Sequence, residues 1–322
     1  MSAVIYKNLN AAPIVATGGA GVWIDDAAGN RYLDTCGGVA VSSLGHAHPR
    51  IVAAMEREAR KIAWAHAGSF TTPAAEELAE RLVAASNGLA KAQFLSGGSE
   101  VMELAMKMAY QYQCERGKAS KQTFIARRQG YHGSTLGALA VSGNPQRRSV
   151  FEPLLPSAEF VSPCYAYRYQ RAGESDDAYA TRLAQELDDR ISALGADSVC
   201  AFVAETVVGS TNGAVPAVPG YLKKIREVCD RHDVLLLLDE VMAGSPQSDV
   251  IDLMHVLRAI HASGTSILMI EHLVPVILAL AEHVFVLNFG QELYQGRPED
   301  VVTHPEVIES YLGKPLTALA DA

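Results

Sequence analysis

The sequence lacks lysine over a long internal stretch. Nine lysines occur among the 322 residues, and none lies between Lys224 and Lys314. Basic runs and arginine-rich arms are absent as well, and the formal net charge is −9. Because a chain with this charge balance is repelled by a phosphate backbone, a nucleic-acid partner is not expected.

Long hydrophobic runs and paired cysteines are also missing. The apolar runs are far shorter than the roughly 20 residues that a transmembrane helix needs. The first residues, MSAVIYKNLNAAPIV, lack the features of a secretory signal. The five cysteines are scattered and form no C-x-x-C pair, which predicts reduced thiols and no metal site. These absences predict a cytoplasmic protein with no transmembrane segment.

Composition changes along the chain near residue 244. Residues 245–322 hold three basic and ten acidic residues, whereas residues 1–244 hold 24 basic and 26 acidic residues. The later stretch also has no cysteine and no tryptophan. A shift of this kind is what two different sources of sequence would produce.

What is present is an alternation of predicted strands and helices. This alternation predicts an α/β fold with a mainly parallel sheet. The strand predicted over 265–270 is expected to lie beside the strand over 234–239 through a right-handed crossover. The predicted elements up to residue 244 are a hairpin over 22–33, helices over 49–64, 73–85, 100–116, 176–194 and 221–232, strands over 94–95, 123–127, 199–204 and 234–239, and a loop over 164–175. Those beyond it are helices over 248–263, 273–282, 298–302 and 305–312, a strand over 265–270, and hairpin strands over 284–287 and 292–294.

One motif is a run of small residues, Ser96-Gly97-Gly98-Ser99, between a predicted strand and a predicted helix. Main-chain N–H groups at such a helix N-terminus can hold a phosphate. Because Gly and Ser are also common helix caps, a plain cap is the alternative.

A second motif is Gly130-Tyr131-His132-Gly133, which follows a predicted strand. Its tyrosine offers an aromatic face for stacking on a planar ring. An ordinary loop with a packed tyrosine is the alternative.

Two carboxylates form the third feature, because each ends an apolar strand. Glu205 closes AFVAE and Asp239 closes VLLLLD. Side chains at the carboxyl ends of parallel strands point into the ligand crevice of an α/β sheet. A helix cap or a surface acid is the alternative for each.

Together these features resemble the class III (omega) aminotransferases, which are fold type I enzymes that use pyridoxal phosphate. The segments FLSGGSEVMELAMKMA, YHGSTLGALAVSG, AFVAETVVG and LLLLDEVMAG follow in the order of that family, after an N-terminal stretch that is also similar. The resemblance covers most of residues 20–244. It implies that residues 1–244 are the N-terminal portion of a fold type I large domain.

The resemblance also implies a role for each motif residue. His46 and His48 are structural in this family, so no metal is assigned to them. The implied site consists of Gly98 and Ser99 at the phosphate, Tyr131, His132 and Gly133 beside the pyridine ring, Asp239 at the ring nitrogen, Val241 against the other face of the ring, and Glu205 near the ring and the substrate path.

One departure from the family concerns the lysine that forms the Schiff base with the cofactor. In the family this lysine follows the Asp strand after a Gly-rich turn and another strand. Here GSPQSDVIDLMHVLRAI follows instead. Lys223, Lys224 or Lys314 could substitute only if the fold brought it to the ring. The sequence therefore predicts an aminotransferase that is inactive alone. Its parent reaction would transfer an amino group between an amine or amino acid and a keto acid, in a homodimer, since family members usually build each site across a dimer.

Residues 245–322 resemble a different family. The segment from Ser266 to Gly313 is similar to the C-terminal end of the ATP-binding subunit of a branched-chain amino-acid ABC transporter. By that resemblance, His272 is the switch histidine that contacts the γ-phosphate. A complete ATPase also needs a G-x-x-x-x-G-K-[ST] loop, and the sequence contains no such string.

The two resemblances meet at LLLLDEVMAG, which fits both families. This overlap suggests the hypothesis that two unrelated coding sequences were joined in frame where they are locally alike, giving an α/β chimera. The alternative to an inactive aminotransferase is a non-catalytic binding module left from the transporter subunit. A non-enzymatic remnant that binds no cofactor is the third alternative.

Overall fold

The computed structural model describes residues 3–6, 10–35, 37–42, 44–86, 89–209, 211–213, 215–240, 284–288, 291–297, 300 and 304–307. The chain forms two compact units. One unit contains residues 1–76 and 249–322, and the other contains residues 77–248.

The first unit opens with a three-stranded antiparallel sheet in the order β1-β2-β3. Asp26 closes the turn between the second and third strands, because its Oδ1 accepts hydrogen bonds from the N–H groups of Ala28 and Asn30 at 2.8 Å each. The predicted hairpin over 22–33 is confirmed. The sequence does not predict β1, because two glycines make ATGGA a poor strand sequence. The strands are β1 (Ala16–Ala20), β2 (Trp23–Asp26) and β3 (Arg31–Leu33).

The helices that follow carry few contacts to a core. They are α1 (Gly37–Ala40), α2 (Pro49–Lys61) and α3 (Pro73–Ala85). A proline at the first helical position begins both α2 and α3, where its missing N–H costs no hydrogen bond. Neither helix buries a single residue, and Met55 on α2 is 68% exposed. The two predicted helices are confirmed, although α2 ends three residues earlier than predicted.

The second unit is built on a four-stranded parallel sheet in the order β5-β4-β6-β9. This sheet confirms the α/β fold that the sequence predicts. A short antiparallel pair, β7-β8, lies outside it. The strands are β4 (Thr123–Arg127), β5 (Glu159–Val161), β6 (Val199–Glu205), β7 (Val207–Val208), β8 (Val215–Pro216) and β9 (Leu235–Asp239). The helices are α4 (Gly98–Glu115), α5 (Leu136–Ala140), α6 (Pro145–Arg148), α7 (Ala166–Tyr169), α8 (Asp176–Leu194) and α9 (Tyr221–Arg231).

Strand β6 lies between β4 and β9, and all seven of its residues are buried. Both faces of a central parallel strand are covered by helices, which is why VCAFVAE is almost continuously apolar. Phe202 packs into the cluster formed with α8 and α9, and Val203 packs on the opposite face with Met102 of α4. The second unit therefore has three layers, helix on sheet on helix.

Helix α8 follows local sequence rules closely. The Ser175 side chain accepts a hydrogen bond from Ala178 N–H at 3.2 Å and caps the first turn. Gly195, with a φ of 83°, ends the helix in a conformation that favours glycine. The side chains spaced along one face are buried, namely Tyr179, Leu183, Leu187 and Ile191.

Three sequence-based expectations need correction or remain open. No strand forms at 94–95, where Phe94 and Leu95 are 45% and 39% exposed and pair with no described strand. The predicted loop over 164–175 contains the short helix α7. The elements predicted over 248–263, 265–270 and 273–282, and the pairing of the middle one with β9, lie outside the described residues.

The described part of the C-terminal stretch is a small hairpin. The antiparallel pair confirms the hairpin predicted over 284–287 and 292–294. The described residues include only the first turn of the helix predicted over 305–312 and only residue 300 of the helix predicted over 298–302. The elements described in the C-terminal stretch are β10 (Val284–Asn288), β11 (Gln291–Gly296) and α10 (Pro305–Val307).

Candidate active site

The N-terminus of α4 presents main-chain donors without a side-chain cap. The cap residue Gly97 is extended, with φ −156° and ψ 154°, and no side-chain hydrogen bond caps the first turn. A Cβ atom added at Gly97 or Gly98 would meet nothing within 4 Å. This helix end is therefore an open set of N–H groups at the positive end of the helix dipole, which suits an anion.

The loop at residues 131–134 packs directly against this helix end. Ser99 Oγ accepts a hydrogen bond from the N–H of Ser134 at 3.0 Å. Gly133 has a φ of 138°, and a Cβ atom there would lie 2.6 Å from Ser99 Oγ. Only glycine fits this close approach, so the two motifs that the sequence separates by about 30 residues are in contact.

The same loop reaches the end of β9 through His132. Its Nδ1 lies 3.0 Å from Asp239 Oδ2 and donates to it, since a carboxylate can only accept. The His132 side chain is fully buried, whereas the Asp239 side chain is 28% exposed. Within the described residues, His132 Nε2 has no hydrogen-bond partner. One oxygen of Asp239 is thus held from inside while part of the carboxylate remains accessible.

Glu205 lies beside Asp239 because the two residues are register partners on β6 and β9. It is buried, with 2% exposed surface. Its carboxylate accepts hydrogen bonds from the N–H groups of Tyr131 and Gly209, both at 3.3 Å. Burial raises the pKa of Glu205, while the neighbouring His132 and the Arg127 guanidinium oppose that shift.

The Tyr131 ring is half-buried and carries a cation on one face. The guanidinium carbon of Arg147 lies 4.2 Å from the ring centroid, within the range of a cation–π contact. Sequence reasoning did not assign Arg147 to this region, and its only signal is the basic pair that ends α6.

The contacts therefore join most of the predicted residues into one network. Ser99, Tyr131, His132, Gly133, Glu205 and Asp239 are linked, and Gly98 begins the helix that carries Ser99. Val241 and His272 lie outside the described residues. His46, which the sequence assigns a structural role, contacts Asp34 Oδ2 at 2.9 Å. Within the described part of the chain, no group of three or more His, Cys, Asp or Glu side chains is arranged so that it could hold a metal ion.

The family profile of the class III aminotransferases, described as "Aminotransferase class-III", matches residues 4–248. The chain belongs to this family. The match begins in the N-terminal region and ends close to the point at which composition changes. Pyridoxal phosphate is the cofactor of class III aminotransferases, as the resemblance implies. None of the helices in the described ranges has the length and hydrophobicity needed to cross a bilayer.

Individual relatives agree with this assignment. An uncharacterized aminotransferase of Schizosaccharomyces pombe is 40% identical over 243 residues, covering 75% of this chain and 53% of the relative. Gamma aminobutyrate transaminase 3 of Solanum lycopersicum is 32% identical over 235 residues, covering 72% of this chain and 45% of the relative. The omega transaminase of Pseudomonas jessenii in complex with PMP is 32% identical, with a TM-score of 0.67, covering 71% of this chain and 51% of that one. The chain spans about half the length of the curated relatives it matches.

Proposed function

We propose that residues 77–240 form the cofactor half of an aminotransferase site and hold pyridoxal phosphate. The observation that carries this proposal is the continuous set of contacts from Ser99 through the loop at 131–134 to Asp239. Its ends are an uncapped helix N-terminus and a partly exposed carboxylate. These groups fit the two charged parts of the cofactor, a phosphate and a protonated ring nitrogen.

Each residue of the network has a proposed task. Gly98 and Ser99 bind the phosphate through the helix N-terminus, and Asp239 holds the proton on the ring nitrogen. His132 orients Asp239 from the buried side, and Gly133 brings the loop close to the helix. Tyr131 stacks on the ring, and Glu205 lies near the ring and the substrate path. For Val241, which lies outside the described residues, the family resemblance motivates the proposal that it packs on the other face of the ring. When bound, pyridoxal phosphate supplies an electron sink for negative charge at the substrate carbon.

The parent reaction is the transfer of an amino group between an amine or amino acid and a keto acid. Relatives named as transaminases support this substrate class. We propose that the chain does not complete the reaction by itself, because no lysine lies between Lys224 and Lys314. Loss of a positioned general base alone lowers rates by roughly 100- to 10,000-fold. We also propose that a homodimer forms, as family members usually share sites across two subunits.

A cofactor titration tests the binding proposal. Purified protein is titrated with pyridoxal phosphate and followed by absorbance and tyrosine fluorescence, alongside Asp239→Asn and Asp230→Asn. Asp230 is an exposed aspartate on α9 that serves as the matched control. We expect saturable binding that Asp239→Asn weakens by about tenfold or more, because it removes a charge-assisted hydrogen bond. Absent binding, or equal binding by both variants, would overturn the proposal.

Borohydride treatment tests the proposed inactivity. Reduction fixes the cofactor covalently only where a lysine is joined to it, and peptide mass spectrometry locates the attachment. We expect no cofactor mass on Lys223, Lys224 or Lys314 and no transaminase activity. A modified lysine together with turnover would show that the chain is a working enzyme. Light scattering on the same preparation measures whether it is a dimer.

We further propose that residues 245–322 have a separate origin from residues 1–244. The family match ends at residue 248, close to the change in charge balance near residue 244. Their resemblance to the end of a transporter ATP-binding subunit motivates the alternative of a non-catalytic binding module containing His272. Sequencing the genomic locus and detecting the full-length protein test the joined gene, and a split locus would refute it. A nucleotide titration tests the module, and we expect no ATP binding without the phosphate loop.

A further inference from the structure

Arg127 is a buried cation that the proposed site does not use directly. It is the last residue of β4 and only 1% of its surface is exposed. A guanidinium stays charged in a protein, so burying it is costly unless other groups compensate the charge. Sequence reasoning gives it no role, because an arginine at a strand end is normally a surface residue.

The contacts of Arg127 converge on the end of β6. Its Nη2 donates a hydrogen bond to the main-chain oxygen of Glu205. Its guanidinium carbon lies 5.8 Å from the centroid of the Tyr221 ring, which is also buried. No ion pair joins Arg127 to a carboxylate within the described residues. The buried carboxylate that its charge acts on is that of Glu205.

Glu205 in turn holds the loop that carries the proposed stacking ring. Its Oε2 accepts the N–H of Tyr131, and its Oε1 accepts the N–H of Gly209. The loop is tight at this point, since a Cβ atom at Gly130 would lie 3.2 Å from Arg127 O and 3.3 Å from Glu205 Oε2. Arg127, Glu205 and the Tyr131 main chain therefore form one packed series.

We propose that Arg127 is a positioning residue for the cofactor site, acting through Glu205. It fixes the end of β6 through its hydrogen bond to the Glu205 main-chain oxygen, and its charge favours the ionised form of the Glu205 carboxylate. That carboxylate then fixes the main chain at Tyr131. The claim that Arg127 serves a cofactor site rests on the proposed function. The contacts by which Arg127 holds Glu205 and the Tyr131 main chain lie within the protein and can be tested without cofactor.

Amide hydrogen exchange measured without cofactor tests whether Arg127 fixes the Tyr131 main chain through Glu205. The variants are Arg127→Met, Arg127→Lys, Glu205→Gln and the double variant Arg127→Met with Glu205→Gln. Arg182→Met is the matched control, because Arg182 forms its ion pair with Glu174 elsewhere in the unit. We expect Arg127→Met to speed exchange at Tyr131 and Gly209 by about tenfold, because losing a charge-assisted contact permits local opening. The control should leave both amides unchanged.

Non-additivity separates positioning from general stabilisation. If Arg127 acts through Glu205, adding Arg127→Met to Glu205→Gln should change exchange at Tyr131 by less than about twofold. Fully additive effects would overturn the inference. If Arg127→Met does not fold, Arg127→Lys decides the matter, because lysine keeps the charge without the guanidinium geometry. Unchanged exchange at Tyr131 and Gly209 in Arg127→Lys would then overturn the inference.

Cofactor affinity forms the second arm. We expect Arg127→Met and Glu205→Gln each to raise the Kd for pyridoxal phosphate by about tenfold. The double variant should have the same Kd as either single variant. If the unmodified chain binds no cofactor, the proposed function fails. The exchange data still decide whether Arg127 fixes the Tyr131 main chain through Glu205. If it binds cofactor and Arg127→Met has the same Kd, the positioning inference fails while the proposed function stands.

Discussion

Residues 77–240 and residues 3–76 bury their apolar side chains to very different extents. Helix α8 in the later region buries six residues, whereas α2 in the earlier region buries none. The earlier region is ordered instead by local polar contacts, such as the hydrogen bonds that converge on Asp26. Correct helix and strand patterns are therefore compatible with two quite different sources of stability, a core in one region and local capping in the other.

The test with the largest expected effect on stability compares one phenylalanine from each region. Phe202 is fully buried on β6, and Phe70 is 68% exposed. We expect Phe202→Ala to lower the free energy of unfolding by roughly 3–5 kcal/mol, because it leaves a cavity in a packed layer. Phe70→Ala should change it by less than about 0.5 kcal/mol. Urea unfolding followed by circular dichroism measures both, and similar losses would contradict the contrast.

A second test concerns a buried lysine in the later region. Lys121 is 1% exposed, and its Nζ donates to the carbonyl oxygens of Ala196, Val199 and His232. We expect Lys121→Met to cost about 1–3 kcal/mol of stability, because it leaves buried carbonyl groups unpaired. Lys118→Met, which removes a more exposed ion pair, should cost about 1 kcal/mol or less. Equal unfolding midpoints for the two variants would refute this ranking.

The third test concerns pH and the turn in the earlier region. Hydrogen bonds from the side chains of Asn30 and Tyr32 lower the pKa of Asp26 from 3.8 to about 2. A depressed carboxyl pKa adds stability above the unfolded value of 3.8, and that stability is lost as pH falls towards about 2. We expect hairpin amide signals in NMR spectra to weaken over this window. Asp26→Asn should abolish the pH step, and a persisting step would assign it to another group.

The smallest test compares two glutamates on helices. Glu103 on α4 accepts the N–H of Gly137 at 2.8 Å and caps α5, whereas Glu56 on α2 forms an exposed pair with Arg60. We expect Glu103→Gln to cost about 0.5–1 kcal/mol, because the amide caps a helix less well than a carboxylate. Glu56→Gln should cost only about 0.2–0.5 kcal/mol. Thermal unfolding of both variants checks the order, and a larger loss for Glu56→Gln would reverse it.

Much of the later region could be predicted from sequence because its signals are local. Ser175 and Gly195 mark the ends of α8, and the run AFVAE ends at the residue where β6 ends. In the same way, the apolar run VLLLLD ends at Asp239, where β9 also ends. Local caps and apolar runs therefore sufficed to place both carboxylates at strand ends.

The features that sequence could not predict depend on distant contacts. Arg127 is buried because Tyr221 and the main chain of Glu205 surround it, and Lys121 because three carbonyl groups converge on it. No local pattern contains that information. The strand expected at 94–95 fails for a related reason, since a strand needs a pairing partner that sequence periodicity does not reveal.

The register between β6 and β9 has a consequence for how such sites can be inherited. Glu205 and Asp239 are paired by the main-chain ladder and not by their own side chains. Any exchange of genetic material downstream of residue 240 would transmit both carboxylates together, in the correct relative position. The ladder therefore fixes the relative position of the two carboxylates through main-chain pairing, which substitutions of the neighbouring side chains leave in place.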